Sequence, residues 1–137
     1  MSLKIAVYGS LRAGMGNNRV IDSSKLLSSE NVSLPFEMID LGSFPGLIKS
    51  NNINDIYMEI YEVDPTTYQR VERLEGYPSF YDRELIETSA GAAEVYFLPK
   101  DYGREYERYP RVTKTNNSYD WVNHIKRVKN SKFNQND

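Results

Sequence analysis

Apolar and polar positions follow one another along this chain in short runs, most of which predict strands. Leu3 to Tyr8 is apolar and β-branched and stops at Gly9-Ser10, as a buried first strand does on entering a tight loop. Arg12-Ala13-Gly14-Met15-Gly16-Asn17-Asn18 is a loop by its Gly and Asn content. Val20, Ile21, Leu26 and Leu27 carry a weak helical spacing, closed by the polar cluster Ser28 to Asn31. Residues 32 to 41 predict a second strand, followed by a turn at Phe44-Pro45-Gly46 and a short apolar piece, Leu47-Ile48. Polar residues 49 to 55 predict a hairpin or surface connection. Ile56 to Val63 alternates as a strand, with Ile56, Met58 and Ile60 on one face and Tyr57, Glu59, Tyr61 and Val63 on the other.

Asp64-Pro65 is a helix start, since Asp caps free N–H groups and Pro at the first helical position lacks only an unused donor. The helix runs from Pro65 to about Glu75, and Gly76 ends it by accepting a left-handed conformation. Arg83 to Thr88 and Ala93 to Pro99 are further strands joined by the turn Ser89-Ala90-Gly91-Ala92. Tyr119 to Lys129 is a last helix with Trp121, Val122, Ile125 and Val128 on its apolar face, and Lys132 to Asp137 is a frayed tail. These segments imply a single domain over residues 1–129, with 130–137 as a flexible tail. Strands come in adjacent pairs rather than alternating with helices. An α+β fold with a mixed or largely antiparallel sheet, open to curling into a barrel, fits better than a doubly wound one.

Composition narrows the chemistry. The 137 residues suit one domain, and they include no cysteine, one histidine and 11 tyrosines. That excludes a disulfide framework, a thiolate nucleophile and a Cys-based metal centre, and leaves a Ser-His-Asp triad only through His124. Proton chemistry therefore points to a carboxylate, with tyrosines shaping the site. A net charge of −2 gives no general attraction to nucleic acid or anionic membranes. No apolar run reaches membrane-spanning length and no signal-peptide pattern is present, so the expected location is cytoplasmic.

Two segments carry candidate chemistry. Tyr8-Gly9-Ser10-Leu11-Arg12-Ala13-Gly14 has a glycine that permits a sharp turn or close ligand approach, and its successive N–H groups can face an anion; a plain strand-to-loop turn accounts for it equally well. A phosphate-binding Gly-Lys-Ser/Thr is absent, and Gly9, Gly14 and Gly16 do not fit the dinucleotide fingerprint. Glu75 shares a helix face with Tyr68 and Val71 in the last turn, where the helix dipole and aromatic burial would both raise its pKa. The other placement turns Glu75 to solvent beside Arg73. Tyr81 either donates its hydroxyl to a substrate carboxylate or to Glu75, or is a core residue with a wet tip. His124 reads as an ordinary surface or interface histidine, and Lys126, Arg127, Lys129 and Lys132 as a solvated helix end.

Val7-Tyr8-Gly9-Ser10-Leu11-Arg12, Leu41-Gly42-Ser43-Phe44-Pro45-Gly46-Leu47, Glu59-Ile60-Tyr61-Glu62-Val63 and Leu74-Glu75-Gly76-Tyr77 to Phe80-Tyr81-Asp82-Arg83 resemble, in order, the γ-glutamylcyclotransferase-like (AIG2-like) family. The resemblance implies a small mixed β-barrel flanked by helices, with a cavity at one end. It places the substrate-binding loop on Tyr8, Gly9, Ser10 and Leu11, the catalytic glutamate on Glu75, and a pocket tyrosine on Tyr81. It implies cyclisation of a γ-glutamyl amino acid or amine to 5-oxoproline, without metal or cofactor, and a small-molecule γ-glutamyl substrate as the partner. Met58 stands where the family commonly has glycine, which would narrow that side of the cavity. Two alternatives accompany this reading. A non-catalytic module on the same fold would bind a small carboxylate or peptide end, and Gly9-Ser10-Leu11-Arg12 with Asn18-Arg19 is also similar to the phosphate loop of flavodoxin-like FMN reductases.

Overall fold

Backbone pairing, more than local propensity, decides how these segments fold. The computed structural model describes residues 3–99 and 108–135, the last six by their backbone alone. β1 (Leu3–Val7) leads through the Gly- and Asn-rich loop and a short 3-10 turn, Asn18–Val20, into β2 (Lys25–Asp40), which returns antiparallel as β3 (Pro45–Val63). Then follow α1 (Pro65–Glu75), the hairpin β4 (Asp82–Thr88) and β5 (Gly91–Phe97), the two-residue β6 (Ser118–Tyr119) and α2 (Trp121–Gln135). The sheet is mixed, in the order β2-β3-β1-β5-β4, with β1 parallel to β5 and β6 parallel to β3.

Alternation along β3 and β5 sends side chains into two cores. Met58, Ile60 and Val95 meet Phe36 and Trp121 in one; Tyr61, Val63 and Tyr96 meet Val71 of α1 in the other. The second core is the one that holds α1, and with it Glu75, against the sheet. The start and stop of α1 match the sequence reading. Asp64 Oδ1 accepts the Thr67 N–H at 2.7 Å, and Gly76 closes the helix at φ +64°.

Several expectations need correction. The weak helical spacing of Val20 to Leu27 yields only the 3-10 turn, because Leu26 pairs with Tyr61 and the polar run 28–31 pairs with residues 57–60 of β3. Residues 49–55 are no separate connection but the middle of β3, and the register slips between Leu34 and Phe36, where Pro35 has no N–H to offer. Tyr119 lies in β6 rather than in the last helix, and that helix continues to Gln135, into the segment expected as tail; residues 136 and 137 lie outside the described residues. His124 is buried. Its Nδ1 accepts the Thr113 N–H and its Nε2 lies 2.8 Å from Asp40 Oδ2, so the ring donates to the carboxylate through Nε2. The flavodoxin-like alternative fails, because β1, β2 and β3 pair antiparallel with no parallel crossover helix between them.

The ladder path ends at β2 and β4, so closure into a barrel is not formed by backbone pairing among the described residues. Side chains cross the gap: Ser89 Oγ, just after β4, donates to Glu30 of β2 at 2.6 Å, and Lys49 of β3 pairs with Glu84 of β4 at 2.8 Å. Among the described residues no helix is long and apolar enough to cross a membrane.

Candidate functional site

The end of β1, the end of α1 and the two Pro-containing turns meet around a cavity of about 350 Å³. Its wall includes Tyr8, Gly9, Ser10, Leu11, Glu75 and Tyr81, so all six residues singled out from the sequence come together in one place. Phe44, Pro45, Leu74, Phe80 and Tyr96 complete much of the remainder.

The loop after β1 reaches the cavity because it folds on itself. Arg12, Met15 and Asn17 donate their N–H groups to the carbonyls of Gly9, Arg12 and Ser10. The N–H groups of Gly9, Ser10 and Leu11 make no hydrogen bond among the described residues, and all three residues line the cavity. Ser10 Oγ accepts from the Asn17 side-chain amide at 3.0 Å, so its own proton remains to be donated. Gly9 is not in the left-handed region. It is glycine because a Cβ there would lie 2.7 Å from Pro45 Cγ, so the glycine serves close packing of the two walls.

A buried ionic cluster holds the loop from behind. Arg12 Nε meets Glu59 at 3.2 Å and its Nη1 meets Asp120 at 2.8 Å, while Glu59 also accepts from the Ala13 N–H and the Tyr61 hydroxyl. Desolvation beside Glu59 pushes the Tyr61 phenol up to about 12. Arg12 and Glu59 stood within the quoted motifs, but nothing in their spacing announced that Arg12 pairs with Glu59 and with Asp120.

Glu75 lines the cavity rather than turning to solvent beside Arg73. Its carboxylate makes no ion pair among the described residues, and burial raises its pKa from 4.5 to about 7. Burial alone is the resolved cause, where the helix dipole was also expected to contribute. The adjacent Glu72 is engaged differently, pairing with Arg83, which also reaches Glu94 at 3.0 Å and stacks on the Tyr77 ring.

The two site tyrosines do not present their protons to the cavity. Tyr81 donates to the Pro45 carbonyl at 2.7 Å, which corrects the expectation that it would donate to a substrate carboxylate or to Glu75. Tyr8 donates to the Tyr96 carbonyl at 2.7 Å, and burial, with Tyr81 and Glu75 adding to it, pushes its phenol well above the usual range. Tyr96, which the sequence did not single out, has a buried hydroxyl without a hydrogen-bond partner among the described residues, and burial raises its pKa too. Its only sequence signal is its phase in β5, where it shares a face with Glu94. Met58 is wholly buried in the other core and does not line the cavity, so its expected narrowing effect is absent. No cluster of three or more His, Asp or Glu side chains among the described residues is placed to hold a metal ion.

Comparisons with known proteins give the family. The family model described as "Gamma-glutamyl cyclotransferase, AIG2-like" matches residues 5–123. A Vibrio cholerae protein named as a candidate gamma-glutamylcyclotransferase is 31% identical over 88% of this chain and 96% of its own length. The solution structure of ytfP from Escherichia coli superposes with a TM-score of 0.65 at 26% identity, covering 88% of this chain and 96% of that one. A Niallia circulans protein named "Gamma-L-glutamyl-butirosin B gamma-glutamyl cyclotransferase" is 36% identical over 52% of this chain and 44% of its length.

Proposed function

The chain belongs to the gamma-glutamyl cyclotransferase, AIG2-like family, and on that premise we propose that it cyclises a γ-glutamyl amide to 5-oxoproline with release of the amine. The observation that carries this reading is one cavity lined both by Glu75 and by Gly9, Ser10 and Leu11, whose N–H groups make no hydrogen bond among the described residues. The loop amides and the Ser10 hydroxyl hold the negatively charged oxygen of the substrate, either its α-carboxylate or the oxyanion of the tetrahedral intermediate. The α-nitrogen attacks the γ-carbonyl carbon, a C–N bond forms, and the bond to the departing nitrogen breaks. Two protons pass overall from the attacking nitrogen to the leaving one. Glu75 carries them, since a carboxylate with a pKa of about 7 both accepts and returns a proton near neutrality.

The Tyr8 and Tyr81 protons are committed to backbone carbonyls, so neither phenol acts as the donor of this wall. The Tyr96 hydroxyl is the phenol of this wall with a proton to give. The Niallia circulans relative is named as a gamma-glutamyl cyclotransferase of gamma-L-glutamyl-butirosin B, which supports the same reaction class here.

The test is release of 5-oxoproline from γ-glutamyl amides, measured by chromatography, with wild type and Glu75→Gln side by side. Turnover by wild type and a loss of at least about a hundredfold in Glu75→Gln is expected. Equal rates would overturn the role of Glu75, and binding without turnover across the panel would establish the non-catalytic alternative.

A further inference from the structure

Asn17 occupies a capping position without capping. It precedes the 3-10 turn Asn18–Val20, a place where an asparagine side chain often accepts from the free N–H groups, yet it makes no such bond. The side chain reaches back to the loop after β1 instead, and its Nδ2 donates to Ser10 Oγ at 3.0 Å. The Asn17 N–H donates to the carbonyl of the same serine, also at 3.0 Å, so two bonds tie these residues together. Both are half-buried, and both line the cavity with Glu75. The neighbouring Asn18 engages backbone only in this loop, donating from Nδ2 to the Leu11 carbonyl at 2.9 Å.

An amide nitrogen can only donate, and a serine hydroxyl that accepts from it keeps its single proton for another partner. Asn17 thereby turns an ambivalent hydroxyl into a donor, which is the polarity that an anionic oxygen requires. Aspartate is nearly the same size and reverses the bond. As a carboxylate it accepts the Ser10 proton, leaves the hydroxyl only lone pairs to offer, and adds a negative charge beside them. Alanine merely frees the hydroxyl to rotate.

We propose that Asn17 is a positioning residue of this site, committing the Ser10 hydroxyl to donate to an anionic oxygen of the substrate. The proposal rests on the cyclotransferase reading above.

Kinetics with γ-glutamyl methylamide test it, using wild type, Ser10→Ala, Asn17→Ala, Asn17→Asp and the double variant of the two alanine substitutions. The expected fall in kcat/KM is about three- to tenfold for Asn17→Ala and at least about thirtyfold for Asn17→Asp. In the Ser10→Ala background, Asn17→Ala should cost no more than about a further twofold, because Asn17 acts through the hydroxyl. Simple loosening of the loop would appear in either background. A loss carried by KM assigns the hydroxyl to the α-carboxylate and one carried by kcat to the oxyanion, and either supports the proposal. Asn17→Asp at least as active as Asn17→Ala, or an Asn17→Ala loss undiminished without the Ser10 hydroxyl, overturns it and leaves the reaction standing. If wild type releases no 5-oxoproline, the reaction falls and calorimetric binding of the same amide decides. Affinity weakened by Asn17→Ala only while the Ser10 hydroxyl is present then supports the role of Asn17, and weakening in both backgrounds or in neither overturns it. No binding by wild type overturns both.

Discussion

At the scale of single residues, Glu75 is held in its protonated form to an unusually high pH, and this makes its titration visible in two ways. The folded chain keeps the proton up to about pH 7, while an unfolded chain releases it near 4.5, so the folded state binds more protons between those values. Stability therefore falls as pH rises through that window and levels off above it. The contribution is about 3 kcal/mol at most, and water in the cavity reduces it. Glu75→Gln removes this slope. Denaturant titrations should show the variant gaining on wild type from pH 4.5 to 7 and then holding a constant lead; a lead independent of pH would contradict the buried carboxylate. In catalysis the sign is opposite, because the base must be ionised to accept a proton. The kcat/KM of wild type should rise with pH through a midpoint near 7, and an acid limb near 4.5 would mean that Glu75 titrates as an ordinary surface glutamate.

Elements differ in how far they could be read from residues alone, and the difference follows from what holds each one. α1 was legible to both ends, since the Asp64 cap, Pro65 and Gly76 act within a turn or two of the chain. Helix phase then put Glu75 on the face toward Tyr68 and Val71, and of these three only Glu75, at the helix end, lines the cavity. Residues 25–31 and 49–55 were illegible because their partners lie across the sheet, and ladder bonds between β2 and β3 outweigh a weak helical spacing or a polar run. The site shows the same division. Gly9 was visible as a motif glycine, but its reason, contact with Pro45, depends on two elements meeting. Gly9→Ala would set a Cβ 2.7 Å from Cγ and 2.8 Å from Cδ of a rigid ring. The expected cost is about 1–3 kcal/mol, with a fall in kcat/KM as the loop amides part from the Phe44-Pro45 wall. Gly16→Ala, where a Cβ meets nothing within 4 Å, is the matched control and should melt near the wild-type temperature. Equal melting temperatures for the two variants would refute the packing role.

For the whole molecule, Arg12 joins three parts that are distant in sequence: the loop after β1, β3 through Glu59, and the start of α2 through Asp120. Asp120 also accepts the Asn123 N–H at 3.3 Å, so the residue that anchors the guanidinium helps cap the helix that carries Trp121 into the core. Losing one member of such a cluster leaves an uncompensated buried charge. Arg12→Met should destabilise by about 3–5 kcal/mol. Glu59→Gln removes the charge yet keeps an oxygen to accept from the Ala13 N–H and the Tyr61 hydroxyl, so adding it to Arg12→Met should restore part of the loss. Trp121 is the sole tryptophan and is almost wholly buried, so its fluorescence reports the docking of α2, while far-UV circular dichroism follows the sheet. In wild type the two unfolding midpoints should coincide, as a single cooperative unit requires. In Arg12→Met they should fall together if the cluster binds loop, sheet and helix into one unit. A tryptophan transition that precedes the dichroism change in wild type would instead make α2 a separately melting element, and a double variant no more stable than the sum of its single losses would show that Arg12 and Glu59 act independently.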